Sequence, residues 1–142
     1  MPKIQRNALV AHSAARMFAL VNDVAAYPRR FAWCEAAEVI HADDSRVVAR
    51  LDVGLGGFRT WFTTENMLWP PHHIDLRLRE GPFKKLKGRW QFHALDEAAC
   101  KVALSLDFEP QSRLLAPALS LGMQALANRM VDDFVQAADD PE

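Results

Sequence analysis

Residues 100–134 read CKVALSLDFEPQSRLLAPALSLGMQALANRMVDDF, and within them the spacing of apolar residues changes once. From Cys100 to Phe108 the apolar side chains Cys100, Val102, Leu104, Leu106 and Phe108 take every second position, the period of a half-buried strand. From Ser112 onward Leu115, Leu119, Gly122, Leu126 and Met130 recur at helical spacing, with Ala118, Ala125 and Phe134 beside them, while Gln124, Arg129, Asp132 and Asp133 fall outside the stripe. The chain thus runs from a strand into its longest helix. Pro117 is tolerated near the helix start, where its missing N–H has no intrahelical partner.

Working back from Cys100, the same alternation recurs. Leu86, Gly88, Trp90 and Phe92 alternate with polar residues, as do Ile74, Leu76 and Leu78. Val47 to Val53 and Phe58 to Thr64 flank the turn Gly54-Leu55-Gly56-Gly57 and read as a hairpin. One wet and one dry face per strand is the pattern of an antiparallel sheet solvated on one side. Near the N-terminus, Ile4 to Val10 reads as a further strand, and Ser13 offers an N-cap to a short helix over Ala14 to Val21. A second short element from Val24 is expected to bend at Tyr27-Pro28.

The expected architecture is α+β: about seven strands in a curled antiparallel sheet wrapped around a long C-terminal helix, with two short helices after the first strand, in a single domain over residues 1–142. The tail from Ala137 to Glu142 reads as frayed. Small residues Ala118, Gly122 and Ala125 on the helix stripe leave two arrangements open, close packing against the sheet or a void between them.

Composition narrows the function classes. A formal net charge of -1 gives no global attraction to nucleic acid, so no direct DNA binding is expected. Cys34 and Cys100 are isolated, nothing at the N-terminus reads as a secretion signal, and no apolar run reaches the roughly 20 residues of a spanning helix; a cytoplasmic location is expected. His12, His41, His72, His73 and His93 have no neighbours at metal-ligand spacing, so no metal site is expected. Asp75, Asp107 and Glu109 fall on the wet face by parity, which leaves no acid/base pair inside, and no catalytic residue is assigned.

The stretch Gly81-Pro82-Phe83-Lys84-Lys85-Leu86-Lys87-Gly88-Arg89-Trp90-Gln91-Phe92 resembles the Gly-Pro-Phe-Lys…Leu…Gly…Trp…Phe signature of the coenzyme Q-binding START-like family. That family also holds the bacterial ribosome association toxins, within the wider polyketide cyclase/START helix-grip (Bet v 1-like) superfamily. Further matching blocks are Leu20-Val21-Asn22-Asp23-Val24 with Tyr27-Pro28 and Trp33-Cys34, Phe62-Thr63-Thr64 with Asn66, and Asn128-Arg129-Met130-Val131. Arg30-Phe31-Ala32 departs from the family's Phe-Leu-Pro.

The resemblance implies a helix-grip fold with an apolar cavity, no required cofactor, and ubiquinone or a related polyprenyl lipid as ligand in support of respiration. The expected wall is Tyr27, Phe31, Trp33, Phe62, Leu76, Leu78, Phe83, Trp90, Phe92, Leu104 and Leu106, faced by Leu119, Gly122, Met123, Leu126 and Met130 from the long helix. The alternative implied is a growth inhibitor that binds the large ribosomal subunit and blocks subunit association; a cyclase or aromatase is the third. Arg77, Arg79, Lys84 and Lys85 form the expected contact edge for the ribosome or for peripheral docking on the inner membrane. If the Gly81-Pro82 turn pairs Arg79 with Lys85, Arg77 faces Lys87 and Asp75 faces Arg89. If the turn near Asp96 pairs His93 with Lys101, Lys87 faces Asp107 and Lys85 faces Glu109, so neighbours answer much of that charge. Trp61 is expected on the outer face beside Arg59.

Overall fold

A computed structural model describes residues 3–140. Seven strands form one antiparallel sheet in the order β1-β7-β6-β5-β4-β3-β2. They are β1 (Lys3–Val10), β2 (Cys34–Ala42), β3 (Arg46–Leu55), β4 (Phe58–Trp69), β5 (His73–Glu80), β6 (Phe83–Asp96) and β7 (Ala99–Pro110). Between β1 and β2 lie α1 (Ala14–Asn22), a 3-10 turn (Val24–Ala26) and the single-turn α2 (Tyr27–Arg30); α3 (Ala116–Ala138) closes the chain. This is the expected helix-grip arrangement, with the sheet curled around α3.

Local chemistry accounts for the boundaries. The Ser13 hydroxyl accepts from the Arg16 N–H at 3.1 Å, an N-cap worth about 1 kcal/mol. Met17, Phe18, Leu20 and Val21 then point inward from α1. Pro28 sits in the first turn of α2, so the bend expected at Tyr27-Pro28 becomes a 3-10 turn passing into a fresh helix. The β3–β4 hairpin pairs Leu55 with Phe58 across Gly56-Gly57, and Gly56 takes a φ of 62°, which only glycine adopts freely.

Three expectations are corrected. Strand β2 was not read from the sequence, because it is an edge strand exposed over most of its length and broken by register shifts between Cys34 and Ala36 and between Val39 and His41. Such bulges blunt an edge that would otherwise template further pairing. The long helix begins at Ala116 rather than Ser112, and its inward stripe is Gly122, Met123, Leu126, Ala127, Val131 and Phe134; Leu115, Ala118 and Ala125 are exposed.

The third correction concerns the tail. Ala138 is buried and its carbonyl accepts from Arg16 Nη2 at 2.8 Å and Nε at 3.1 Å, while Asp139 meets His12 at 2.6 Å. A guanidinium at a helix C-terminus satisfies orphan carbonyls and complements the helix dipole, so α1 anchors the end of α3. Of the tail expected to fray, Pro141 and Glu142 lie outside the described residues.

Candidate functional site

Between α3 and the sheet lies a cavity lined from the strands by Ala49, Leu51, Phe62, Ile74, Leu76, Leu86, Trp90, Leu104 and Leu106. Val21, Val24 and Tyr27 close it from the short helices, and Met123, Leu126, Ala127 and Met130 from α3. Nine of the expected wall residues therefore meet here: Tyr27, Phe62, Leu76, Trp90, Leu104, Leu106, Met123, Leu126 and Met130. The side chains leave about 60 Å³ for the centres of water-sized molecules. That is room for a few waters, well below the roughly 300–1,000 Å³ of typical small-molecule pockets.

The other expected wall residues sit elsewhere. Phe31 and Trp33 stack on each other at 5.1 Å and 10°, and the Phe134 ring meets Phe31, Tyr27 and Trp90 edge-on. They form a packed aromatic plug at one end of the grip. Trp33 Nε1 donates to Asp133 Oδ2 at 3.0 Å, so Asp133, expected outside the stripe, lies half-buried at its margin. Phe92 packs with Phe18 and Trp90, and Phe83 with Phe62 and Phe108. Leu78 is half-buried beside the Gly81 turn. Leu119 lines an outer groove at the start of α3, and Gly122 is covered by the ring of Phe58.

Two polar residues in the cavity were not singled out as wall residues. Thr64 Oγ1 donates to Asn66 Oδ1 at 2.7 Å, and both residues are buried. Their parity with Phe62 is the signal that places them inside. The Tyr27 hydroxyl donates to the Val21 carbonyl, and burial raises its pKa far above the usual phenol range. Among the described residues no carboxylate, histidine, lysine or arginine lines the cavity. Among the described residues there is no group of three His, Cys, Asp or Glu side chains placed to hold a metal ion, and no helix long and apolar enough to cross a membrane.

On the opposite face of the sheet the expected register holds: Arg77 opposes Lys87, Asp75 opposes Arg89, Lys87 opposes Asp107 and Lys85 opposes Glu109. Arg89 grips Asp75 through Nε at 2.6 Å and Nη2 at 3.1 Å. The β5–β6 ladder ends at Arg77–Lys87, so the expected pairing of Arg79 with Lys85 does not form, and Arg79 turns toward Glu65 at 3.6 Å. Glu65 is also met by Arg46 at 2.6 Å, and that hydrogen bond holds its carboxyl below the usual carboxylate range. Lys84 occupies an irregularity between Phe83 and Lys85, exposed at the turn end of β6. Trp61 lies under the Arg50 guanidinium, 4.3 Å from the ring centroid, a cation–π contact across β3 and β4.

Residues 10–135 match the family described as polyketide cyclase / dehydrase and lipid transport. The chain is 43% identical over 138 residues to the ribosome association toxin RatA of Vibrio cholerae, covering 97% of this chain and 96% of that protein. It is 38% identical over 138 residues to RatA of Escherichia coli, covering 97% and 87%. The crystal structure of the Zhui aromatase/cyclase from Streptomyces sp. R1128 superposes with a TM-score of 0.88 at 20% identity, covering 96% of this chain and 93% of that one, a likeness of fold. By its sequence match and by the helix-grip architecture just described, the chain belongs to the polyketide cyclase/dehydrase and lipid transport family.

Proposed function

We propose that this protein binds the ribosome and restrains growth by hindering association of the ribosomal subunits. The observation that carries the reading is the 38–43% identity, across nearly the whole chain, to proteins named ribosome association toxins. Two features of the molecule favour it. The interior is almost filled, so the larger binding surfaces lie outside, and the outer sheet face collects basic side chains on β5 and β6. In this reading the protein acts by binding, and among the described residues the cavity lining offers no carboxylate, histidine, lysine or arginine, with the Tyr27 hydroxyl engaged by Val21.

The test is sedimentation of ribosomal subunits through a sucrose gradient with the purified protein, at magnesium concentrations that dissociate and then reassociate them. The protein should travel with the large subunit and lower the fraction of assembled ribosomes, and its induction should slow growth. Sedimentation at the top of the gradient, with normal reassociation, would sink the reading.

A second reading is an apolar ligand in the cavity, ubiquinone or another polyprenyl lipid. It is favoured by the apolar lining with its one polar corner at Thr64 and Asn66. It also draws on a groove of about 550 Å³ beside the start of α3, lined by Phe58, Pro82, Leu115, Ala118 and Leu119, where Leu114 is 89% exposed and peripheral contact with a membrane would begin. The cavity must widen several-fold to admit a quinone ring. Solvent extraction of the purified protein should then yield a stoichiometric prenyl lipid, and added ubiquinone should quench tryptophan fluorescence in the wild type but not in Leu104→Trp. Failure of both measurements would remove this reading.

A further inference from the structure

The outer face of the sheet carries a groove that is separate from the cavity. It offers about 350 Å³ and runs across five strands, from Trp69 on β4 through β5, β6 and β7 to Lys3 on β1. The register orders its side chains in rows. One row is Glu65, Arg77, Lys87, Asp107 and Lys3; the next is Met67, Asp75, Arg89 and Ser105; the third opens with Trp69 and His73. Successive rows are two residues apart along each strand, about 7 Å.

Ion pairing does not use up the positive charge. Glu65 is taken by Arg46 and Arg79, and Asp75 by Arg89. Arg77, Lys87 and Lys3 are exposed and make no ion pair within 4 Å among the described residues; Asp107 stands in register between two of them. Three cations around one carboxylate leave the groove positive in a chain whose net charge is -1.

The same groove has an aromatic wall. Trp69 is 45% exposed and lies against His73 with ring centroids 4.6 Å apart and planes 23° apart. The Trp69–His72 turn is closed by the His72 N–H donating to the Trp69 carbonyl at 2.7 Å, which fixes the backbone that carries the indole. Cross-strand ion pairing on a solvated sheet face gives no reason to leave an indole open beside unpaired cations. A positive channel beside a stacking platform is the arrangement that holds unpaired nucleic acid, with cations on the phosphates and a base on the ring. A lipid surface fits less well, because none of the exposed aliphatic side chains that would enter a bilayer, Leu9, Val39, Ile40, Leu95, Leu114, Leu115 and Leu121, lines this groove.

We propose that this groove binds a single-stranded segment of ribosomal RNA, Trp69 stacking on one base while Arg77, Lys87 and Lys3 contact successive phosphates. The proposal rests on the ribosome-binding reading for its partner, and it assigns that partner's chemistry to one face of the sheet.

The probe is a fluorescein-labelled, unstructured RNA of about twelve nucleotides, within the range that single-strand grooves cover. Polarisation is read as a function of salt for the wild type, Trp69→Ala, Trp69→Phe, the double variant Arg77→Glu/Lys87→Glu, and Arg113→Glu as a basic control outside the groove. Thermal melts check that each variant is folded. The wild type should bind with salt-dependent affinity. The double charge reversal should weaken binding more than tenfold and flatten the salt dependence. Trp69→Ala should weaken it about tenfold with the salt slope kept, Trp69→Phe should restore most of it, and Arg113→Glu should match the wild type.

Equal binding by all folded variants would overturn the proposal. So would binding to vesicles of mixed phosphatidylglycerol and phosphatidylcholine that depends on the groove while the RNA is ignored. Ribosome sedimentation of the same variants separates the two readings. Groove variants that sediment with ribosomes like the wild type remove the groove and leave the ribosome reading intact. Groove-dependent RNA binding without any ribosome association upholds the groove and removes that reading.

Discussion

The ring of Phe58 lies on Gly122, so a Cβ added to that glycine would fall inside van der Waals contact of three ring carbons, Cδ1, Cγ and Cε1. The glycine in the long helix therefore makes room for a side chain from the first residue of β4, and the space is occupied by protein. Replacing a mid-helix glycine by alanine normally gains up to about 1 kcal/mol, whereas overpacking costs about 1–3 kcal/mol. Gly122→Ala should accordingly lower the melting temperature in the wild-type background and raise it in a Phe58→Ala background. A double-mutant cycle by urea denaturation reads that reversal of sign; additive effects would mean that the ring moves aside without cost.

Asp133 holds the indole of the fully packed Trp33, and Arg129 reaches the same carboxylate oxygen at 3.3 Å. Removing the acceptor strands a buried N–H, at a cost of about 1–3 kcal/mol. Asp133→Ala should therefore destabilise the protein by that amount, while Asp133→Asn, which keeps a carbonyl oxygen in place, should lose clearly less. Equal losses for the two variants would show that the hydrogen bond is not what Asp133 contributes.

Most of the strands were legible because burial imposes a period close to two on them, most cleanly on β6 and β7. The same periodicity set the register, down to the pairing of Lys87 with Asp107 and of Lys85 with Glu109. The phase of α3 was misread only in part: Gly122, Met123, Leu126 and Phe134 do face inward, but Leu115, Ala118 and Ala125 are apolar yet exposed, which drew the apparent stripe away from Ala127 and Val131. Strand β2 carries no such period, since neither of its faces is consistently buried. Residue type could not separate cavity wall from plug: Tyr27 and Trp90 touch the cavity, whereas Phe31 and Trp33 pack against their neighbours. Thr64, Asn66 and Trp69 were within reach of parity alone, had β4 been carried past Thr64 to Trp69.

Burial raises the Cys34 thiol from its ordinary value of 9.0 to about 11, and Cys100 is shifted in the same direction by the same cause. The thiolate is the reactive form, so at pH 8 about one Cys34 in a thousand is poised to react. Labelling with a disulfide reagent at pH 8 should be slow in the folded protein and fast in urea. Because the folded-state pKa lies above the unfolded one, the protonated thiol favours the folded state at and below neutral pH, and that contribution declines as pH rises from about 9 to about 11. Rapid stoichiometric labelling of the native protein at pH 8 would contradict this placement of Cys34.

The Thr64–Asn66 pair gives the most direct measure of what the cavity tolerates. Each side chain is buried, and the Thr64 hydroxyl donates to the Asn66 amide oxygen at 2.7 Å. Removing one member leaves the other without its partner, whereas replacing both with apolar groups of similar shape removes the demand altogether. Thr64→Val alone and Asn66→Leu alone should each destabilise the protein by about 1–3 kcal/mol, and the double variant should lose less than the sum of the two. If a ligand with a carbonyl or hydroxyl head occupies the cavity, the double variant should also lose that ligand while keeping its fold. Unchanged ligand content in a folded double variant would place the polar head elsewhere, and the outer groove beside Leu119 would become the site to probe next.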